Sequence, residues 1–343
     1  MAGIARGAAI TLTAAGQVEL IERELPELLP DEVRVAVRAV GICTLEKRLF
    51  LGKLKLGYPL IPGHEVAGVI EDVGPQVLGG FKPGQRVALD LLTRCGQCHW
   101  CRRGASNRCE NRFRSRRGAL GGMSARVAVP GREVFVLPDD LPLQLATLAE
   151  PLADCLHSLG RAGLTHQGPV AVVGLGVMGL LHTTLLHHLG HTTLGVDPAP
   201  LKREMASDFG ATATAPPVQA AAALQALNGG YGASSVVVTA PGVEALETGI
   251  GLLAKGGTLV VYSSYDNDDR LPLAVNRLHY DEITITGSEG RTEVDFQRAV
   301  DLLAGGSLDL SPLISRTFSA EQAQEAFQTS LNPDLFRVLI TFP

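Results

Sequence analysis

The rhythm of hydrophobic and polar positions changes once along the chain. Up to about residue 150 the apolar stretches are short and punctuated by Gly and Pro, as in Glu32–Ala39, Val66–Val73 and Arg86–Asp90, the last preceded by the turn Lys82-Pro83-Gly84. From Pro169 onward the apolar runs are Val170–Val173, Thr193–Val196, Ser235–Thr239, Thr258–Tyr262 and Thr284–Gly287. Helical stretches separate them: Met178–Leu189, Leu201–Phe209 and Glu244–Leu253. Runs apolar on both faces suit strands buried in a parallel sheet. Their alternation with helices predicts a doubly wound α/β domain. Beyond Ser288 come a helix at Val294–Leu303 and a strand at Phe336–Phe342. The pattern predicts a β-rich domain over 1–150, a nucleotide-type domain over 151–288, and a return to the first domain over 289–343. Alanine-rich Ala211–Ala226 holds Pro216-Pro217, which predicts a helix start. Val170–Leu189 is apolar, but Gly174, Gly176, Gly179, His182, His187 and His188 interrupt it, so a strand–turn–helix is predicted rather than a membrane span.

Composition narrows the function classes. A length of 343 residues fits about two domains, and 45% hydrophobic residues can fill their cores. A net charge of −5 argues against nucleic acid or an anionic membrane as partner. Arg102, Arg103, Arg108, Arg112, Arg114, Arg116 and Arg117 form a local exception, read as a solvated arginine-rich lobe. Met1–Leu12 lacks a basic start followed by a long apolar core, so a cytoplasmic location with reduced thiols is expected.

Cys95, Cys98, Cys101 and Cys109 follow the spacing C-x2-C-x2-C-x7-C. Short Cys-x2-Cys turns bring sulfurs to the roughly 2.3 Å radius of a tetrahedral zinc. Four thiolates leave no open coordination position, so this zinc is expected to be structural, within a lobe spanning 90–117. Two disulfides are disfavoured in a reducing compartment, and an iron–sulfur cluster is the other metal that such spacing accepts.

Gly174-Leu-Gly176-Val177-Met178-Gly179 is G-x-G-x-x-G placed directly after an apolar strand and before a helix. Gly174 allows the tight turn, Gly176 the approach of a pyrophosphate, and Gly179 close helix–strand packing. The helix N-terminus beginning at Val177 and Met178 offers free N–H groups to phosphates. Asp197 ends the next strand, where a carboxylate accepts from ribose hydroxyls and repels a 2′-phosphate. Pro198 follows, with no adjacent cation, so NAD is favoured over NADP. Lys202 either lies against the adenosine ribose or is a solvated helix residue.

A second, open metal site is sought among Gly41-Ile42-Cys43, Gly63-His64-Glu65 and Ala149-Glu150-Pro151-Leu152-Ala153. Cys, His and a carboxylate form a catalytic zinc set with one exchangeable position. Gly63-His64-Glu65-Val-Ala-Gly68, the four-cysteine lobe and the glycine loop with Asp197 together resemble, in residues and in order, the medium-chain zinc-dependent alcohol dehydrogenase superfamily over essentially the full chain. Glu150-Pro151-Leu152-Ala153 resembles its polyol branch of sorbitol (L-iditol) and threonine dehydrogenases. The resemblance implies a GroES-like catalytic domain beside a Rossmann domain, and two zinc ions per chain. It implies Cys43, His64 and either Glu65 or Glu150 around the catalytic zinc. It further implies hydride transfer between a secondary alcohol, such as a polyol, and NAD, in a homodimer or homotetramer. The family usually places Ser or Thr two residues after the first zinc cysteine. Here that position is Leu45, with Thr44 before it, Glu46 in place of a common Asp, and Arg48 where some members carry His. Proton exit is therefore expected through Thr44, Glu65, Glu150 or zinc-bound water. Lys47 and Arg48 could bind an anionic substrate such as a sugar phosphate; an amino alcohol is the other alternative. A zinc-free reductase is disfavoured by the four candidate ligands, and a non-catalytic nucleotide-binding relative has only Leu45 in its favour. Cys155 is expected to be buried, His157 to lie on a helix, and His187 and His191 to form no metal site.

Overall fold

Two sheets of opposite character organise the chain. The computed structural model describes residues 6–25, 27–54, 56–112, 121–165 and 168–343. Arg114, Arg116, Arg117 and the upper part of the expected 90–117 lobe lie outside the described residues, as do the first five residues of Met1–Leu12. The chain divides into two compact units, 1–153 with 291–343, and 154–290.

The first unit is built on a seven-stranded sheet with Glu32–Ile42 at its centre. That strand pairs antiparallel with Glu65–Val73, Arg126–Pro130 and Arg337–Thr341. Having neighbours on both sides explains why Val33, Val35, Val37 and Val40 are all fully buried. The C-terminal strand Arg337–Thr341 completes this sheet, so residues 295 positions apart meet: Arg337 Nη1 donates to the Ile42 carbonyl at 3.1 Å. A hairpin, Arg6–Ala14 with Gln17–Glu24, and the helix Ala323–Ser330 cover the core. Phe50 and Phe327 stack there with ring centroids 5.3 Å apart.

The second unit is a six-stranded parallel sheet in the order Ala213–Ala215, Thr193–Val196, Val170–Val173, Ala233–Val238, Leu253–Val261, Thr284–Gly287. The chain order reverses between Val170–Val173 and Ala233–Val238, which is the topological switch point of a Rossmann sheet. All four residues of Val170–Val173 are buried, as a central parallel strand requires. The alanine-rich segment forms a short strand, a 3-10 turn at Pro217–Gln219 and a helix at Ala220–Asn228. The fold is therefore α/β, a GroES-like β-rich unit with a Rossmann unit.

Candidate active site

Cys43 ends the central strand and caps the helix Thr44–Phe50, in an extended conformation (φ −84°, ψ 174°). Its N–H donates to Glu46 Oε2 at 3.1 Å. Glu46 Oε1 accepts from the Gly63 N–H at 3.1 Å and lies 2.8 Å from His64 Nδ1. With Nδ1 donating to Glu46, Nε2 is the nitrogen left for a proton or a metal, and it faces Glu150 Oε1 at 3.8 Å. Glu46 thus fixes both the cap and the imidazole. The residue stood in the sequence only as a variant of a common Asp; its spacing of three from Cys43 was the signal for this role.

Glu65 opens the strand Glu65–Val73 and is fully buried. Arg337 Nη2 lies 2.9 Å from its Oε1 as an ion pair, yet neither Glu65 oxygen has a hydrogen bond of good geometry among the described residues. Burial pushes Glu65 up to about 7, against the pull of Arg337. Gly41 makes room for it: a Cβ there would sit 2.0 Å from Glu65 Oε2. Burial alone would lower His64, but the carboxylates of Glu46 and Glu150 outweigh it and raise the imidazole well above its usual range. A field that holds a proton so firmly also suits a divalent cation.

The ligand atoms of His64, Glu65 and Glu150 all lie within 4.8 Å of one another, and so do those of Cys43, Glu46 and His64. The two triads share His64; Glu46, outside the expected ligand set, stands in the one with Cys43, and Glu65 and Glu150 stand in the other. The Glu65 oxygens, without a hydrogen bond of good geometry among the described residues, and the fixed His64 Nε2 fit a metal. Thr44 is exposed, and Leu45 packs against the core instead of presenting a hydroxyl.

The sulfurs of Cys95, Cys98, Cys101 and Cys109 likewise lie within 4.8 Å of one another, and all are free of disulfides. Backbone N–H groups point at them: Cys95 to Cys109 Sγ at 3.3 Å, Cys98 to Cys95 Sγ at 3.3 Å, and Asn111 to Cys109 Sγ at 3.4 Å. The Gln97 N–H, with Asn111 and other donors, draws Cys95 down to about 6. Donors from Cys101 and Glu110 lower Cys98, whereas burial and neighbouring sulfurs push Cys101 up to about 12. Amides aimed at clustered sulfurs stabilise thiolates, which is the form that binds metal.

In the second unit, Gly174 has φ +96°, and a Cβ on Gly179 would lie 1.8 Å from the Gly174 carbonyl oxygen, so both positions require glycine. Gly176 caps the helix Val177–His188, and a Cβ there would meet nothing within 4 Å. That open surface at a helix N-terminus fits a pyrophosphate. Asp197 is buried; its Oδ2 accepts from the Leu175 N–H and its Oδ1 from the Ala199 N–H, each at 2.9 Å. It therefore also pins the glycine loop to the next strand. Lys202 is half-buried on the helix Pro200–Asp208. Pro198 follows Asp197, as expected, but a cation from the next helix comes near the backbone there: Arg203 Nη1 donates to the carbonyls of Asp197 and Pro198, each at 2.8 Å. Arg203 stands six positions after Asp197, and one helical turn brings it back.

Cys155 is buried, with its Sγ 3.7 Å from the Met178 carbonyl, and His157 lies on the helix Ala149–Arg161. His182 is fully buried; its Nδ1 lies 2.7 Å from the Met178 carbonyl, and burial brings it down to about 4. His187 and His191 belong to no metal-type cluster of the described residues.

Comparison with known proteins agrees with this geometry. Residues 29–139 match the family described as alcohol dehydrogenase GroES-like domain, and residues 164–305 match the zinc-binding dehydrogenase family. The L-threonine 3-dehydrogenase of Caldanaerobacter subterraneus is 27% identical, with 94% of each chain covered. A probable D-xylulose reductase A of Aspergillus fumigatus is 31% identical over 94% of this chain and 93% of its own. A zinc-binding-dehydrogenase-type protein from Sinorhizobium meliloti 1021, solved bound to NADP, is 28% identical. Its TM-score is 0.88, with 98% of this chain and 100% of that one covered. The chain belongs to the zinc-dependent medium-chain alcohol dehydrogenases, oxidoreductases with a nicotinamide cofactor, in the branch that includes polyol and threonine dehydrogenases.

Proposed function

We propose that the chain transfers hydride between a secondary alcohol of the polyol type and NAD, at a zinc held by Cys43, His64 and a carboxylate of Glu65 or Glu150. The observation that carries this reading is the His64 ring, clamped through Nδ1 by Glu46 so that Nε2 faces Glu150, with the Glu65 carboxylate in the same cluster. Bound at these sites, zinc supplies Lewis acidity that lowers the pKa of a hydroxyl, and the nicotinamide accepts hydride. The chain's own groups do the rest. Glu46 orients His64. Glu65 Oε1 and Oε2, lacking hydrogen-bond donors of good geometry, are the atoms able to take the hydroxyl proton, in place of the hydroxyl relay that Leu45 cannot provide. Glu150 offers its carboxylate from the start of its helix. Cys95, Cys98, Cys101 and Cys109 hold the second, structural zinc.

Asp197 supports NAD over NADP, because its carboxylate disfavours a 2′-phosphate and Arg203 Nη1 is engaged on two carbonyls. Gly174, Gly176, Val177, Met178 and Gly179 take the pyrophosphate, with Lys202 toward the adenosine end. A homodimer or homotetramer in the cytoplasm accords with the family resemblance. No helix of the described residues is long and apolar enough to cross a membrane. The test is a panel of polyols, sugar phosphates, amino alcohols and simple alcohols with NAD and NADP, read by reduced-nicotinamide absorbance on protein of measured zinc content. Polyol-dependent reduction of NAD is expected. No turnover on any alcohol, or a single zinc per chain, overturns the reading.

A further inference from the structure

A chain of buried charges runs from the cysteine lobe to Glu150. Arg94 immediately precedes Cys95, and its Nη1 donates to Asp90 Oδ2 at 2.6 Å. Its Nη2 donates to the Arg291 carbonyl at 2.7 Å. Arg291 turns back on the same carboxylate, through Nη2 at 2.6 Å and Nε at 3.1 Å to Asp90 Oδ1. The other end of its fork, Nη1, donates to Glu150 Oε1 at 2.5 Å. That oxygen is the one facing His64 Nε2. Side-chain exposure along the path is 2% at Arg94, 0% at Asp90, 5% at Arg291 and 7% at Glu150.

Two features make this path rigid. Arg291 sits just ahead of the Thr292 N-cap of the helix Glu293–Ala304, where the Asp295 carboxylate accepts from the Thr292 N–H at 2.9 Å. A planar guanidinium bonded at three nitrogens has little rotational freedom, and a buried carboxylate bridging two guanidiniums fixes both. The lobe is tied to the same helix start a second time. Ser106 donates to Glu293 Oε2, and Arg94 Nε lies 3.7 Å from that oxygen.

We infer that Arg94, Asp90 and Arg291 form a brace that sets the position of the Glu150 carboxylate in the open metal site and couples it to the cysteine lobe. These are positioning residues, acting through Glu150. The inference rests on the zinc reading of the His64 site above. Outer partners of metal ligands typically govern affinity by 10- to 100-fold, so the brace should be measurable without any turnover.

The experiment titrates zinc from the intact protein with a competing chelator, resolving two equivalents, for wild type, Asp90→Asn and Arg94→Lys. Asp90→Asn is expected to weaken the more labile equivalent about 10- to 100-fold, leaving the cysteine-bound equivalent in place. Its kcat should fall while its KM for NAD stays at the wild-type value. Arg94→Lys keeps the charge but cannot reach both acceptors, so it should show a smaller loss in the same equivalent. It also serves if Asp90→Asn fails to fold. Wild-type affinity in whichever variant folds, or loss of both equivalents together, overturns the brace. Wild type with only one zinc equivalent overturns the zinc reading itself, an outcome visible before any variant is made.

Discussion

Glu133 sits beside the same buried charges and gives the sharpest test of how they balance. Its side chain is buried, and its Oε1 has no hydrogen-bond partner among the described residues. Burial, followed by the neighbouring Asp90 carboxylate, pushes it from 4.5 up to about 8, and Arg132 and Arg94 only partly offset this. The folded chain therefore keeps this proton at neutral pH. Below pH 4.5 the folded and unfolded chains both carry it, and Glu133 costs the fold nothing. Above 4.5 the unfolded chain releases the proton and the folded chain does not, so stability falls as pH rises, and the loss is complete above about 8. At about 1.4 kcal/mol per pH unit, the cost reaches at most ~3 kcal/mol at pH 7 and ~5 kcal/mol at pH 8. Glu133→Gln is neutral at every pH and nearly the same shape. It should match wild type near pH 5 and exceed its Tm by up to about 10–20 °C at pH 8, since ~1 kcal/mol moves Tm by roughly 2–4 °C in a domain of this size. Scanning calorimetry of both proteins from pH 5 to 8 measures the difference, in which every other titrating group cancels. A Tm difference that stays flat across this range, or that shrinks as pH rises, refutes a protonated Glu133.

Cys43→Ser should abolish turnover while NADH still binds, as read by NADH fluorescence; global unfolding instead would place Cys43 in the core rather than at an open site. Asp197→Ala strands the Leu175 and Ala199 N–H groups, so it should cost about 2–4 kcal/mol of stability. It should also reduce the NAD over NADP ratio of kcat/KM, and an unchanged ratio removes Asp197 from ribose recognition. Cys95→Ser should release one zinc equivalent and lower Tm, with activity lost only as the lobe loosens; full activity loss in a protein of unchanged Tm contradicts a purely structural role.

Much of the architecture was legible because it follows from periodicity. The strands Val170–Val173, Thr193–Val196 and Thr284–Gly287 stand where their apolar runs placed them, with the same ends. The central strand ran longer than the Glu32–Ala39 expected from its alternation, to Ile42. Gly41 broke the pattern there, and the reason is the Glu65 carboxylate packed where its side chain would be. The four cysteines and the glycine loop were legible because each is local: spacing alone brings their atoms together. Glu46 was half legible, since one helical turn from Cys43 is local but its bond to His64 spans 18 residues. Arg203 is not legible from the neighbours of Asp197 in sequence, because it is the helix that returns residue 203 to the carbonyls of 197 and 198.

What no spacing could show is the long-range matching of charge. Arg291 reaches Glu150 across 141 residues and Asp90 across 201, and Arg337 meets Glu65 at the far end of the chain. Each of these arginines is buried, and a buried cation is stable only with a paired anion. In the brace, Arg94 and Arg291 are matched by Asp90 and Glu150, two charges against two. Glu133 lies beside them as a third carboxyl, and its burial, with the Asp90 charge added, outweighs Thr93, Arg132 and Arg94, so its proton is retained rather than lost. Glu65 obeys the same rule. Its own burial outweighs the facing Arg337 guanidinium, and Glu150 and Glu46 add to the lift, so its proton is held up to about 7. A divalent cation that displaced the protons of Glu65 and His64 would answer the carboxylates gathered around that ring. Sequence motifs identify the donors, but only the folded charge balance explains why a metal would be held among them.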